Sequence, residues 1–333
     1  MKRNDCIAAA LAMLTLAAFA ASLLVGAGGV PAGEALQALL RGDKASLAGR
    51  ILWLVRLPRA LAALLAGMAL SVAGLLLQSV LRNPLAAPGV IGANAGAGLW
   101  VLLGAVLWPS AARLAPYLAF GGACASAFAV YMIARLTGAS RNTLVLAGVA
   151  VNTLLGASMD AIVTFVPDAG MSRSAFAIGG FASVTMKQLR FAAPLVAVGL
   201  MLALLSRRET EIMTLGDEVA QSLGVSTERL RALLLVTAAM LSGAAVSFAG
   251  LLSFVGLIAP HLSRLLCRND SRLSLLIAPL LGANLCLGCD LIARTLFMPF
   301  ELPVGIVLSF LGAPFFLYLM LTQRKRGRHA DNG

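Results

Sequence analysis

Apolar residues run through this chain in long continuous blocks rather than in alternation. The blocks fall at 6–30, 58–81, 90–108, 113–136, 142–166, 190–206, 230–250, 251–267, 273–297 and 302–322. A helix needs roughly 20 apolar residues to cross a bilayer, and only helices or closed barrels satisfy every backbone group there. Barrel strands alternate every second residue, so continuous runs point to helices. The pattern predicts one all-α polytopic membrane domain over 1–333 with about ten spans. The blocks at 90–108 and 251–267 are short and interrupted by Gly and Pro. The first block follows Lys2 and Arg3 and stays apolar from Ile7 to about Val30. That exceeds the roughly 7–15 residues of a signal-peptide core, so an uncleaved first span is expected.

One segment breaks the pattern. Residues 206–231 read SRRETEIMTLGDEVAQSLGVSTERLR and carry Arg207, Arg208, Glu209, Glu211, Asp217, Glu218, Glu228, Arg229 and Arg231. So dense a run of charge must face water. Thr214 stands three residues before Asp217, a capping pattern. Leu215, Val219 and Leu223 recur every fourth position, Gly224 offers a left-handed stop, and Ser226 or Thr227 offers the next cap. The spacing predicts one short amphipathic helix over 215–223. Its acidic residues disfavour an anionic lipid surface, which favours docking to a soluble partner over a loop lying on the membrane.

The net charge of +12 would suggest nucleic acid in a soluble protein. Here the basic residues cluster at span ends and suit the positive-inside rule, and no nucleic-acid motif is present. With the N-terminus inside, the cytoplasmic ends hold Arg82, Arg135, Arg141, Arg207, Arg208, Arg229, Arg231, Arg264, Arg268, Arg272 and the basic C-terminal cluster. The outer side holds Arg41, Lys44, Arg50, Arg56, Arg59, Arg113, Arg173, Lys187, Arg190 and Arg294. That outer charge calls for its own explanation. Cys286 and Cys289 form a CxxC within an apolar helix, where i,i+3 spacing reads as packing rather than metal or thiol chemistry.

Two interrupted segments invite a transport reading. LRNPLAAPGVIGANAGAG (81–98) contains Asn83, Pro84, Pro88, Gly89, Gly92 and Gly96, and FVGLIAPHLSR (254–264) contains Gly256 and Pro260. Breaks in a span free backbone groups that protein or a water-filled cavity must satisfy, and paired breaks in the two halves of a chain mark a transport path. Ordinary kinks are the bland alternative. Gly67 and Gly74 suit close helix approach.

Four stretches together resemble the FecCD family of ABC-importer permeases for iron–siderophores, haem and cobalamin. They are RLPRALAALLAGMALSVAGLLLQSVLRNPLAAPGVIGANAGAG (56–98), LGDEVAQSLGV (215–225), GLIAPHLSR (256–264) and ELPVGIVLSFLGAPFFLYLM (301–320). The resemblance implies a cobalamin-permease-like fold of ten spans and a homodimer or heterodimer of such permeases. It further implies two cytoplasmic ATPases, an external binding protein and a multi-pass place in the cell (inner) membrane with both termini cytoplasmic. It assigns ATPase coupling to Leu215, Gly216, Asp217, Glu218, Val219, Ser222, Leu223 and Gly224, with His261 and Arg264 near the same surface. It assigns contact with carboxylates of the binding protein to Arg56, Arg59 and Arg294. No cofactor or metal is implied for this chain, since the partner subunit uses the ATP. Iron(III)–siderophore is the first expected cargo, with cobalamin and haem as alternatives. Relatives often carry a Trp after the fifth span where this chain has Phe176.

Other classes leave thinner traces. No G-x-x-x-x-G-K-[ST] phosphate loop exists, so the chain lacks that route to ATP hydrolysis. An ion-coupled secondary transporter would rely on Asp160 or Asp290, although Asp290 is placed to pair with Arg294 at i,i+4. An intramembrane hydrolase would need Ser242 beside His261, or Asp160 beside Asp290, and the sequence offers neither a nucleophile elbow nor a paired-acid motif.

Overall fold

The computed structural model describes residues 2–26, 29–138, 141–267 and 270–330. Among the described residues ten long helices fill the ten apolar blocks. They are α1 (Lys2–Leu24), α2 (Leu57–Leu81), α3 (Ala93–Leu107), α4 (Ala115–Leu136), α5 (Arg141–Phe165), α6 (Met186–Leu205), α7 (Thr227–Ala249), α8 (Val255–Leu266), α9 (Ser271–Thr295) and α10 (Val304–Ala330). Seven are long and apolar enough to cross a membrane; α3, α8 and the apolar part of α10 are shorter. The two blocks interrupted by Gly and Pro give the shortest helices, of 15 and 12 residues. The first span ends at Leu24, short of the expected Val30, and the chain turns into an amphipathic helix, Ala32–Arg41, stopped by left-handed Gly42.

α2 is the mast of the bundle. It packs most extensively on α9, then on α7 and α8. Burial takes in 78% of the core of α2 and of α7 but only 11% of α5. Apolar burial gives spanning helices little reason to associate in lipid, so close van der Waals packing holds them. Two glycines provide it. A Cβ on Gly67 would overlap the carbonyl of Gly282 on α9, and one on Gly74 would overlap the carbonyl of Gly256 on α8. Gly74→Leu is therefore expected to cost about 1–3 kcal/mol or more through overpacking. A thermal melt of the purified permease checks this; an unchanged midpoint would contradict the contact.

The two interrupted segments meet each other, and side chains satisfy the backbone they free. The Gln78 amide of α2 donates to Ala86 O (3.2 Å) and to Gly256 O (3.1 Å), one from each segment. Asn152 of α5 donates to Gly89 O (2.8 Å), and Ser126 of α4 donates to Gly92 O (2.8 Å). Asn83 accepts from Leu85 N (2.9 Å), and Pro88 opens a single 3-10 turn ending at left-handed Gly92. Gly96 lies on Gly122 of α4, and Pro260 lies inside α8. Protein rather than solvent closes these sites, as lipid requires.

Residues that the sequence places on one side meet on one side. Arg82 meets Met213, and Arg135 meets Glu228 at 2.9 Å. At the other end Arg294 meets Ser22, and Arg59 meets Asp290 and Glu301. We call the first the island face and the second the opposite face.

Candidate functional site

The polar island folds as two helices, not one. Arg207–Leu215 continues from α6, and Asp217–Ser222 follows after a break at Gly216 (φ 126°). Thr214 is no cap: it lies inside the first helix and donates to Glu211 O (2.7 Å). Gly216 takes the N-cap position at φ 126°, a backbone conformation that residues with a side chain rarely adopt, with the Arg82 guanidinium beside it. The expected Leu215–Val219–Leu223 stripe is accordingly cut, with Leu215 on the earlier helix. The side chains of Leu215, Asp217 and Glu218 lie outside the described residues, as does Arg268. Ala220 is fully buried, whereas Val219 and Leu223 are 43% and 59% exposed and point away from the body. Ser222 and Gly224 are exposed too. The end of the helix follows the sequence: Gly224 N donates to Gln221 O (2.9 Å) and Val225 N to Ala220 O (3.0 Å), with Gly224 left-handed at φ 77°. These bonds form a Schellman stop. Ser226 takes the N-cap position of α7, with no side-chain bond to it.

Arg82 anchors the segment. It ends α2 in the left-handed region (φ 48°), rare for a residue with a side chain. Its Nε donates to Met213 O at 3.3 Å. The segment is thereby tied to α2 and, through Gly224, to α7. Nothing in the sequence singled out Arg82 beyond its place at a span end.

At the opposite face the three arginines expected to meet an external protein are turned inward. Arg56, Arg59 and Arg294 are 3%, 5% and 1% exposed. A π-turn over Leu52–Arg56 leads into α2 and precedes Arg59 by three residues. Arg56 donates to Leu23 O (3.2 Å), Leu24 O (2.8 Å), Gly26 O (3.4 Å) and Val30 O (3.2 Å). It thereby closes the C-terminus of α1, where a cation suits the helix dipole. Arg59 donates through Nε to both oxygens of Asp290 (2.9 and 3.1 Å) and through a terminal nitrogen to Glu301. Arg294 donates to Ser22 and lies 3.5 Å from Asp290. The i,i+4 pair is present, but Arg59 is the main partner of Asp290. In the chain by itself the hydrogen bonds of these three residues go to acceptors within the chain, while Arg56 Nε and Arg294 Nε make none.

The remaining candidates sort simply. His261 stacks edge-on against Phe315 of α10 (5.9 Å), and Arg264 is half-buried on α8. Ser242 donates to Ala238 O (2.8 Å) of its own helix, so it forms no nucleophile–base pair with His261. Asp160 is held by Arg173 of the short helix Ala169–Ile178, a poor arrangement for carrying an ion. Cys286 and Cys289 are buried free thiols, and among the described residues no group of three His, Cys, Asp or Glu gathers to hold a metal. Phe176 lines both a cavity of about 510 Å³ that reaches Arg59 and Glu301 and one of about 360 Å³ that reaches Gly89 and Asn152.

Among the described residues, nine long apolar helices gathered on a buried tenth, with one projecting polar segment, define a polytopic α-helical membrane protein. The chain belongs to the FecCD transport family, which it matches over residues 14–322. It is 38% identical to the hemin transport system permease protein HmuU of Yersinia pestis, over 83% of this chain and 84% of that protein. It is 38% identical to the achromobactin transport system permease protein CbrC of Dickeya dadantii, over 94% and 90%. The Fe(3+)-citrate import system permease protein YfmD of Bacillus subtilis is 37% identical over 90% and 89%. A solved metal-chelate type ABC transporter in an inward-facing conformation superposes with a TM-score of 0.83 at 26% identity, covering 96% of this chain and 99% of that one. The protein is an ABC-importer permease, a multi-pass membrane protein and a transport subunit rather than an enzyme.

Proposed function

We propose that the chain forms the membrane path of an ATP-driven importer of metal chelates, with iron(III)–siderophore complexes as cargo. A second permease, identical or similar, completes the path. Two soluble ATPases dock on the island face from the cytoplasm, and an external binding protein delivers cargo at the opposite face. The membrane is the cell (inner) membrane, with both termini cytoplasmic.

One observation carries the coupling: Val219 and Leu223 are held outward on a polar element that Arg82 ties to the mast. An apolar pair displayed on a rigid polar support is the form that interface anchors take. ATP-driven closure of the motor pair moves this element, and α2 and α7 receive the motion. The path itself suits α5, which is scarcely buried yet carries Asn152, Thr153, Ser158, Asp160 and Thr164; polar residues in a span favour a protein-lined or wet cavity over lipid. For the external partner, exposed Arg41, Arg50, Arg113, Lys187 and Arg190 replace the buried arginines as the docking charge. Such charge sets capture rate more than affinity. The cargo class follows the relatives named for hemin, achromobactin and iron(III) citrate, which share a chelated metal.

The test is uptake into proteoliposomes containing the permease, its ATPase and its binding protein. Uptake of an iron(III)–siderophore should require ATP. Uptake driven by an ion gradient without the ATPase would replace this reading with a secondary transporter. Preference for cobalamin or hemin would reassign the cargo alone.

A further inference from the structure

A cleft of about 450 Å³ opens between the N-terminal ends of α4 and α6. α4 runs toward the island face and α6 leads into the polar segment, so both N-termini lie at the opposite face. Arg113, on the 3-10 turn Pro109–Leu114 ahead of α4, and Lys187, in the first turn of α6, line it. Irregular backbone at a span end stands outside the hydrocarbon, which puts these cations in reach of water. The floor is aromatic: the rings of Tyr117 and Phe191 meet at 4.5 Å. Each cation precedes one of the two rings by four residues.

Arg113 and Lys187 are both exposed, and neither has an ion-pair or hydrogen-bond partner among the described residues. No Asp or Glu is among the described residues that line the cleft. Of the five exposed cations offered to the external partner, these two alone line it. The wall beside Lys187 is fixed in advance, because Gln188 Oε1 accepts from Thr185 N (2.8 Å) and Oγ1 (3.1 Å) and closes the start of α6. The cleft also shares Pro116 and Gln188 with the cavity of about 510 Å³, whose walls include Ser172, Ser183, Ser247 and Glu301. Walls with that many polar groups suit water rather than acyl chains.

We propose, on the footing of the importer function above, that this cleft seats an acidic segment of the external binding protein. A carboxylate lies between Arg113 and Lys187, and an apolar side chain next to it lies on the rings of Tyr117 and Phe191. The two cations select the carboxylate and guide its approach. The aromatic floor adds buried apolar area, which charge alone does not supply, and aromatic rings are frequent interface anchors. The docking charge thereby narrows from a scattered outer field to one seat with a defined chemistry. An anionic lipid headgroup also answers two cations, but a cleft continuous with a polar cavity gives its acyl chains no apolar track.

The test holds the full-length permease with its ATPase in phosphatidylcholine nanodiscs and measures capture and release of the binding protein that sustains uptake in the proteoliposomes. Arg113→Glu/Lys187→Glu should slow capture by at least about tenfold at low salt, with the difference shrinking as salt rises. Arg41→Glu/Arg50→Glu makes the same change of charge outside the cleft and should slow capture by no more than about threefold, since distant exposed charges are screened. Tyr117→Ala, at a position 52% exposed, should speed release by about tenfold and leave the capture rate in place. Equal slowing by the two double variants would overturn the seat and keep an external protein guided by charge. No capture by the unaltered permease, together with no ATP-dependent uptake, would remove the importer function beneath it. Capture untouched by Arg113→Glu/Lys187→Glu, with phosphatidylglycerol held by the unaltered permease and lost from that variant in native mass spectrometry, would make the cleft a lipid site instead.

Discussion

Arg59→Ala is expected to unfold the opposite face of the permease and to lower its melting midpoint by on the order of 10 °C. Asp290 is fully buried, and Arg59 supplies both of its short hydrogen bonds. Without Arg59 the carboxylate keeps only Arg294, at 3.5 Å. Removing one partner of a buried pair strands the other and costs about 3–5 kcal/mol, whereas replacing both with apolar residues of similar size is often nearly neutral. Arg59→Met combined with Asp290→Leu should recover only part of the loss, since it leaves the buried Arg294 without its carboxylate. The melt is run on the permease alone, with no binding protein present. An unchanged midpoint, with weakened capture of the external protein, would favour for Arg59 the docking role that the family resemblance implies. Added salt should change the melt little, since buried pairs are weakly screened.

The second large effect is functional and should leave the fold intact. Val219→Asp/Leu223→Asp is expected to reduce ATP-dependent uptake by at least about tenfold. Both side chains are exposed, so the melting midpoint should hold. Interface anchors are commonly worth 2 kcal/mol or more each, and every 1.4 kcal/mol is about tenfold in affinity. Two charges in their place should also release the ATPase during purification. Normal uptake together with normal ATPase retention in the double variant would remove the coupling role from this helix. Because the first prediction concerns the opposite face, either can fail without the other.

The ten long helices were legible because lipid imposes one demand along the whole length of a helix, and a continuous apolar run answers it. The stop at Gly224 was legible because its bonds span only a few residues. The break at Gly216 was not: Thr214 and Asp217 imitate a capping pair, and the break rests on Gly216 standing at φ 126°, which residue spacing does not announce. The burial of the three arginines was hidden for a related reason. A charge at a span end looks the same in sequence whether it faces water or a carboxylate 231 residues away. Gln78, Ser126 and Asn152 went unremarked, although each is a polar residue in an apolar block, a signal that it has an acceptor to find.

The distance along the chain between Arg59 and Asp290 also sets an order of events during synthesis. Chains grow at about 5–20 residues per second, so α2 emerges on the order of ten to fifty seconds before its counter-ion. Throughout that interval the mast carries an unpaired cation, which near a helix end can reach up to the lipid headgroups. Arrival of α9 draws the guanidinium back inward, making the Arg59–Asp290 bond a late step of assembly.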